Sequence, residues 1–158
     1  MTLAEHLVSD LRENLTRNIL PFWIDRMTDT ARGGYLGRID GENRPDYDAP
    51  KGAILNGRLL WTFSAAYRVL RDPQYLAAAT RAYEYLRDHF IDREMGGVYW
   101  SVDAAGQPLD TKKQTYAIGF AIYGLSEYHR ATSSEEALEL AVGLFRVLED
   151  KTRDGAAN

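Results

Sequence analysis

The sequence predicts an all-α fold, an incomplete α/α toroid of about five helices in antiparallel pairs joined by short β-hairpin loops. Three observations carry this prediction. Apolar patterns of helical period alternate between one-sided and nearly all-round, two glycine pairs stand 63 residues apart in similar surroundings, and a 158-residue chain holds only two and a half such units. Amphipathic outer helices around enclosed inner ones suit a toroid, where inner helices pack on both neighbours and on the ring centre.

Thr2 with Glu5 makes a capping-box pattern, and Leu7, Leu11, Leu15 and Ile19 follow at helical spacing, so a first helix runs to Leu20 and ends at Pro21. Pro21 to Pro50 is a long loop rich in Gly, Asp and Arg, with a short strand expected in Gly33–Asp40. From Ala53 to Arg71, Leu55, Leu59, Phe63, Ala66 and Leu70 mark one face while Ile54, Leu60, Trp61 and Tyr67 fill much of the other. This second helix is expected to be buried nearly all round. Asp72-Pro73 starts a third, one-sided helix carrying Leu76, Ala79, Tyr83, Leu86 and Phe90. Gly96–Asp103 reads as a second strand, followed by a turn at Ala104–Pro108. Thr111 with Gln114 caps a fourth helix from Lys112 to His129, again enclosed, and Ser133 with Glu136 caps a fifth, with Ala137, Ala141, Leu144 and Leu148 facing in.

The repeat runs helix, acidic-basic turn, glycine pair, strand, inner helix. Asp25-Arg26 precedes Gly33-Gly34, and Asp92-Arg93 precedes Gly96-Gly97. A period of 63 exceeds the short solenoid repeats and fits a helix pair with a decorated loop. A third lead-in is expected in Glu149–Asp154, just before the chain ends. Two and a half repeats cannot close a ring, so Trp61, Phe63, Phe120 and Tyr123 are expected at an open edge. Residues 1–158 are thus expected to be the N-terminal portion of one barrel domain, truncated before closure. The ring is expected to be completed by a missing C-terminal half, a second copy or another partner.

Composition excludes several classes. With 45% hydrophobic and 27% charged residues the chain is not disordered, and with no cysteine it has neither a disulfide framework nor a thiolate metal site. A net charge of -4 offers no basic surface for nucleic acid, and no apolar run is long enough for a membrane span. A cytoplasmic protein is expected. His6, His89 and His129 share no metal-ligand spacing and read as surface or capping residues, so neither metal nor cofactor is expected.

Arg58 is the unusual residue, a guanidinium in the first turns of an otherwise apolar helix. It either pairs with an acidic residue of a neighbouring loop or presents its donor fork to substrate oxygens at the ring's mouth. Tyr116, placed at the same point of the next inner helix, is core or pocket lining. Asn56 and Trp61 flank Arg58 and complete the candidate site. Gly57 and Gly119 allow close helix approach. The loop acids Asp40, Asp46, Asp103 and Asp110 show no pairing of the kind a glycoside hydrolase requires.

Asn56-Gly57-Arg58-Leu59-Leu60-Trp61-Thr62-Phe63-Ser64-Ala65-Ala66-Tyr67-Arg68 and Lys113-Gln114-Thr115-Tyr116-Ala117-Ile118-Gly119-Phe120-Ala121-Ile122-Tyr123-Gly124-Leu125-Ser126-Glu127-Tyr128 resemble the N-terminal part of cellobiose 2-epimerases, in the N-acylglucosamine 2-epimerase superfamily. The resemblance implies a longer (α/α)6 barrel. It implies an enzyme that opens the reducing-end sugar of a disaccharide or monosaccharide, removes the C2 proton with a histidine and returns it to the opposite face through an enediolate, without metal. Arg58 matches the family's charge-stabilising arginine and Tyr116 a pocket tyrosine. The family's acid/base histidines match none of His6, His89 or His129, so this chain alone is expected to be inactive. N-acylglucosamine 2-epimerase or mannose isomerase activity is the alternative within the superfamily. An α/α-toroid glycoside hydrolase and a non-catalytic helical scaffold are the alternatives outside it.

Overall fold

Thr2 opens the first helix by the reciprocal cap its spacing predicts, its hydroxyl accepting the Glu5 N–H at 3.3 Å while the Glu5 carboxylate accepts the Thr2 N–H at 2.8 Å. In the computed structural model, which describes residues 2–152, α1 (Leu3–Asn14) does not end at Pro21. It passes through a π-helical turn, Leu15–Ile19, into α2 (Leu20–Arg26). The wide turn is the reason: the Leu20 N–H reaches the Leu15 carbonyl five residues back. Pro21, with no N–H to give, then falls in the first turn of a new α segment.

The expected strands are shorter than their patterns. Arg38–Ile39 (β1) pairs with Pro45–Asp46 (β2), and Tyr35 meets Thr28 in a single bridge. Lys51–Gly52 (β3) pairs with Ser101–Val102 (β4), which pairs in turn with Pro108–Asp110 (β5), so a three-stranded antiparallel sheet ties the first repeat to the second.

The helices follow as expected, with two corrected starts. After α3 (Ala53–Leu70), the Asp72 carboxylate accepts the Gln74 N–H at 3.0 Å and begins α4 (Pro73–Tyr85), extended by a π turn, Leu86–Phe90. The fourth long helix, α5 (Thr115–Thr132), starts three residues later than predicted, and Gln114 makes no side-chain cap. Lys112 and Lys113 are drawn instead to Asp110 (2.9 Å) and Asp92 (2.8 Å), which keeps their backbone out of the helix. Before α6 (Glu135–Thr152), Ser133 is not the cap; it closes α5 with φ 60°, as Arg71 closes α3, and the Ser134 hydroxyl accepts the Ala137 N–H at 3.3 Å. Glu149–Thr152 are helical, not a turn, and the rest of that expected lead-in lies outside the described residues.

The true register of the repeat is finer than the glycine pairs suggest. Asp29, not Asp25, stands where Asp92 stands, 63 residues on: each Asp N–H bonds the carbonyl of the second glycine (3.1 Å in both), and each Asp carbonyl accepts the N–H of the first. The inner helices α3 and α5 are both 18 residues long and start 62 apart, one residue having been lost before Lys113. Phe120 therefore stands at Arg58's place, while Tyr116 corresponds to Ile54, one turn earlier.

The core lies between α3, α5 and the outer helices, with Leu60, Phe63, Leu86, Phe90 and Leu125 fully enclosed. The inner helices interlock through Gly57 and Gly124, not Gly57 and Gly119. A Cβ on Gly57 would come within 2.7 Å of the Phe120 carbonyl oxygen and one on Gly124 within 2.6 Å of the Gly57 carbonyl oxygen, whereas Gly119 has nothing within 4 Å. Three apolar faces have no cover among the described residues. The stripe of Leu7, Leu11, Leu15 and Ile19 along α1 and the π turn is exposed, α6 exposes Phe145 and Val142, and α5 exposes Tyr116 (62%), against the expected enclosure, and Tyr123 (46%), as expected at an open edge. Phe63 does not join that edge; it stacks on Tyr35 inside the core. No helix among the described residues is long and apolar enough to cross a membrane.

Candidate functional site

Each inner helix is anchored two residues before its start by a lysine that reaches back to the glycine-pair loop of its own repeat. The Lys51 ammonium, 1% exposed, donates to Asp29 (2.8 Å) and to the Gly33 carbonyl (2.8 Å) and lies 4.5 Å from the Tyr85 ring centroid. Lys113 donates to Asp92 (2.8 Å) and lies 4.0 Å from the centre of Tyr99. Both glycines of each pair hold positive φ, between 62° and 83°, which turns the loop so tightly that its aspartate, and in the first repeat the Gly33 carbonyl, face the lysine. Burial pushes the Asp29 carboxyl up, but Lys51 and the N–H groups of Arg32 and Ala31 outweigh it and hold it below the usual carboxylate range. At Asp92 the Lys113 hydrogen bond and the Met95 N–H do the same.

Two turns beyond Lys51, Arg58 emerges from α3 into a hollow of about 370 Å³ lined by Arg58, Trp61, Thr62, Tyr116, Phe120 and Tyr123. A second hollow of about 720 Å³ adjoins it through Tyr116, Phe120 and Tyr123 and is floored by Gly119. Trp61 lies flat against Tyr123 (4.9 Å, 9°), and Phe120 stands edge-on to Tyr116 (4.9 Å, 82°). Among the described residues Arg58 makes no ion pair or hydrogen bond. Its guanidinium carbon lies 5.8 Å from the centre of Phe120. Of the two expectations for this residue, the salt bridge to a loop acid is absent from the described residues, and the fork is open to the hollow.

Arg58, Tyr116 and Trp61 thus meet at one hollow. Asn56 does not line it: the side chain is 1% exposed, its amide donates to the Gly52 carbonyl at 2.9 Å, and its oxygen is buried without a partner. Phe120 and Tyr123, expected only at the open edge, also line this hollow, and the signal that places Phe120 is its 62-residue distance from Arg58.

The histidines lie elsewhere. His6 is exposed beside Asp10 (3.6 Å), His89 meets the Gly106 carbonyl (3.1 Å) and His129 the Ser134 carbonyl (3.0 Å). The loop acids are held locally, Asp40 by Arg44, Asp46 by Arg38, Asp110 by Lys112 and Asp103 by the N–H groups of its own turn. Bound to the chain's own donors, they do not flank a shared hollow as the two carboxylates of a glycosidase do. Among the described residues no cluster of three His, Cys, Asp or Glu could hold a metal.

The profile of the N-acylglucosamine 2-epimerase (GlcNAc 2-epimerase) family matches residues 34–158. A cellobiose 2-epimerase of Bacteroides fragilis is 56% identical over 156 residues, covering 99% of this chain and 40% of its own length. The solved cellobiose 2-epimerase of Spirochaeta thermophila superposes with a TM-score of 0.92 at 41% identity, over 96% of this chain and 37% of that one. An α-1,6-mannanase of Salegentibacter shares the fold alone, with a TM-score of 0.70 at 21% identity over 98% of this chain and 44% of that one. The chain therefore spans about 40% of the length of the epimerases it matches.

Proposed function

The chain belongs to the N-acylglucosamine 2-epimerase family, and from that premise we propose that residues 1–158 form the N-terminal portion of a single (α/α)6 barrel that epimerises C2 of the reducing-end sugar of cellobiose. In this reading the reducing-end sugar opens in the hollow with its C1 and C2 oxygens toward Arg58. Removal of the C2 proton moves negative charge onto the C1 oxygen. A guanidinium already fixed beside that oxygen stabilises the enediolate with no reorganisation at the moment of reaction. Return of a proton to the opposite face of C2 gives the epimer. Tyr116 and Trp61 supply apolar walls and hydroxyl and indole donors, and Asn56 fixes the start of the helix that carries Arg58.

The observation that carries this reading is the open donor fork of Arg58 at an aromatic hollow. The proton-transfer groups come from outside these residues, because none of the three histidines lines the hollow. Missing acid/base groups cost roughly 10²- to 10⁴-fold each, so the 158-residue chain alone is catalytically silent. The uncovered faces of α1, α5 and α6 support a ring completed by further helices, from a C-terminal half or a second copy. Cellobiose is favoured over N-acylglucosamine and mannose by the identity of the relatives, and the place of action is the cytoplasm. The test is deuterium incorporation at C2 of cellobiose in D₂O. No incorporation above background is expected with the 158-residue chain, and measurable incorporation sinks the proposal that proton transfer lies elsewhere.

A further inference from the structure

Several arginines of this fold are fixed by carboxylates. Arg68 bonds Glu127 at 2.6 Å, Arg44 bonds Asp40 at 2.8 Å and Arg87 bonds Asp88 at 2.7 Å. Arg58 has no carboxylate within 4 Å among the described residues, and the ring of Phe120 stands beside it instead. That ring is itself fixed on two sides. It is edge-on to Tyr116 and to Tyr123 (6.3 Å, 85°), and Tyr123 is stacked on Trp61 of the same helix as Arg58. The backbones are fixed too, because Gly57, the residue before Arg58, admits the Phe120 carbonyl to a distance that a Cβ would forbid. Phe120 also occupies Arg58's own place in the repeat, so the two positions face each other across the α3–α5 seam.

From this geometry we infer that Phe120 is the positioning residue for Arg58, holding the guanidinium by cation–π attraction while leaving its five N–H donors to sugar oxygens. A carboxylate in that place would take two donors in a bidentate pair and neutralise the charge that the enediolate needs. A ring face does neither. The inference rests on the role proposed above for Arg58.

The test is a double-mutant cycle in an epimerase carrying residues 1–158, reading KM, kcat and thermal midpoint. F120L lowers kcat roughly 3- to 30-fold, with KM and the midpoint unchanged. F120Y, which keeps the ring, restores it, and F120M replaces F120L if the latter fails to fold. In an R58Q background the same Phe120 substitution costs less than about 2-fold. An equal loss with and without Arg58 overturns the positioning role, as does an unchanged kcat in F120L. Near-normal kcat in R58Q instead overturns the reading of Arg58 and leaves the fault there. In the 158-residue chain itself, the Arg58 side-chain protons show an upfield ring-current NMR shift that F120L removes and F120Y keeps. Its absence from the wild-type spectrum overturns the inference.

Discussion

The inner helices α3 and α5 begin alike, each two residues after a lysine clamped to an aspartate, and each ends on a left-handed residue after 18 helical positions. Their surroundings differ. Gly57 of α3 is filled by the backbone of α5, while Gly119, its counterpart, faces open space between exposed tyrosines. The lysines differ the same way: Lys51 is fully enclosed and Lys113 is 28% exposed in its side chain. A sequence pattern makes a helix suited to enclosure, and its neighbours decide whether it is enclosed. Around its inner helix the first repeat shows the finished arrangement, and the second shows the same parts with one side uncovered.

The largest contrast is expected at the clamps. Lys51→Met strands the Asp29 charge in the interior and destabilises by about 3–5 kcal/mol. Lys113→Met, where water reaches the lysine and Asp92 keeps two backbone N–H groups, costs less, about 1–3 kcal/mol. Urea denaturation of the two variants measures both, and equal losses would show that enclosure does not separate the repeats. The glycines come next. Gly57→Ala drives a methyl into the Phe120 carbonyl and is expected to cost about 1–3 kcal/mol, whereas Gly119→Ala stabilises by roughly 0.5–1 kcal/mol through helix propensity. Opposite signs in thermal unfolding sharpen the comparison, and a loss at both sites breaks it.

The smallest effect is on acid stability. Asp29 and Asp92 both titrate below their ordinary range. A carboxyl whose folded pKa is depressed contributes stability that is present above its unfolded pKa, about 3.9, and is lost as pH falls through the folded value. Asp29→Asn and Asp92→Asn should therefore flatten the decline in stability below about pH 4. A decline as steep as that of the wild type in both variants places the acid-sensitive groups elsewhere.

Much of this was legible in the sequence, for physical reasons. Apolar periodicity and the Thr2 and Asp72 caps are local, and they located five helices. The glycine pairs mark positive φ, a backbone demand that few other residues meet, so they revealed the repeat. What failed to show depends on neighbours. Pro21 looked like a stop because nothing local announces the π turn that accommodates it. Thr111 and Gln114 looked like a cap because the pull of Asp92 on Lys113 comes from 21 residues away. Lys113 falls inside the expected fourth helix and nothing local marks Lys51, so the clamps do not show; Asn56 reads as a site residue because it stands two positions from Arg58, although it is buried away from the hollow. Arg58 stood out because a guanidinium in an apolar helix has few explanations. Its ring partner lies in the other repeat and became visible only once the 62-residue register was known.

The central claim is that Arg58 offers an unneutralised donor fork to the charge developing on the sugar. It is tested most directly by kcat for cellobiose epimerisation with Arg58→Ala in an epimerase carrying residues 1–158, alongside circular dichroism to verify the fold. The account predicts a fall in kcat of about 10²- to 10³-fold in a folded protein. A folded variant with near-normal kcat would contradict it and make Arg58 a structural residue.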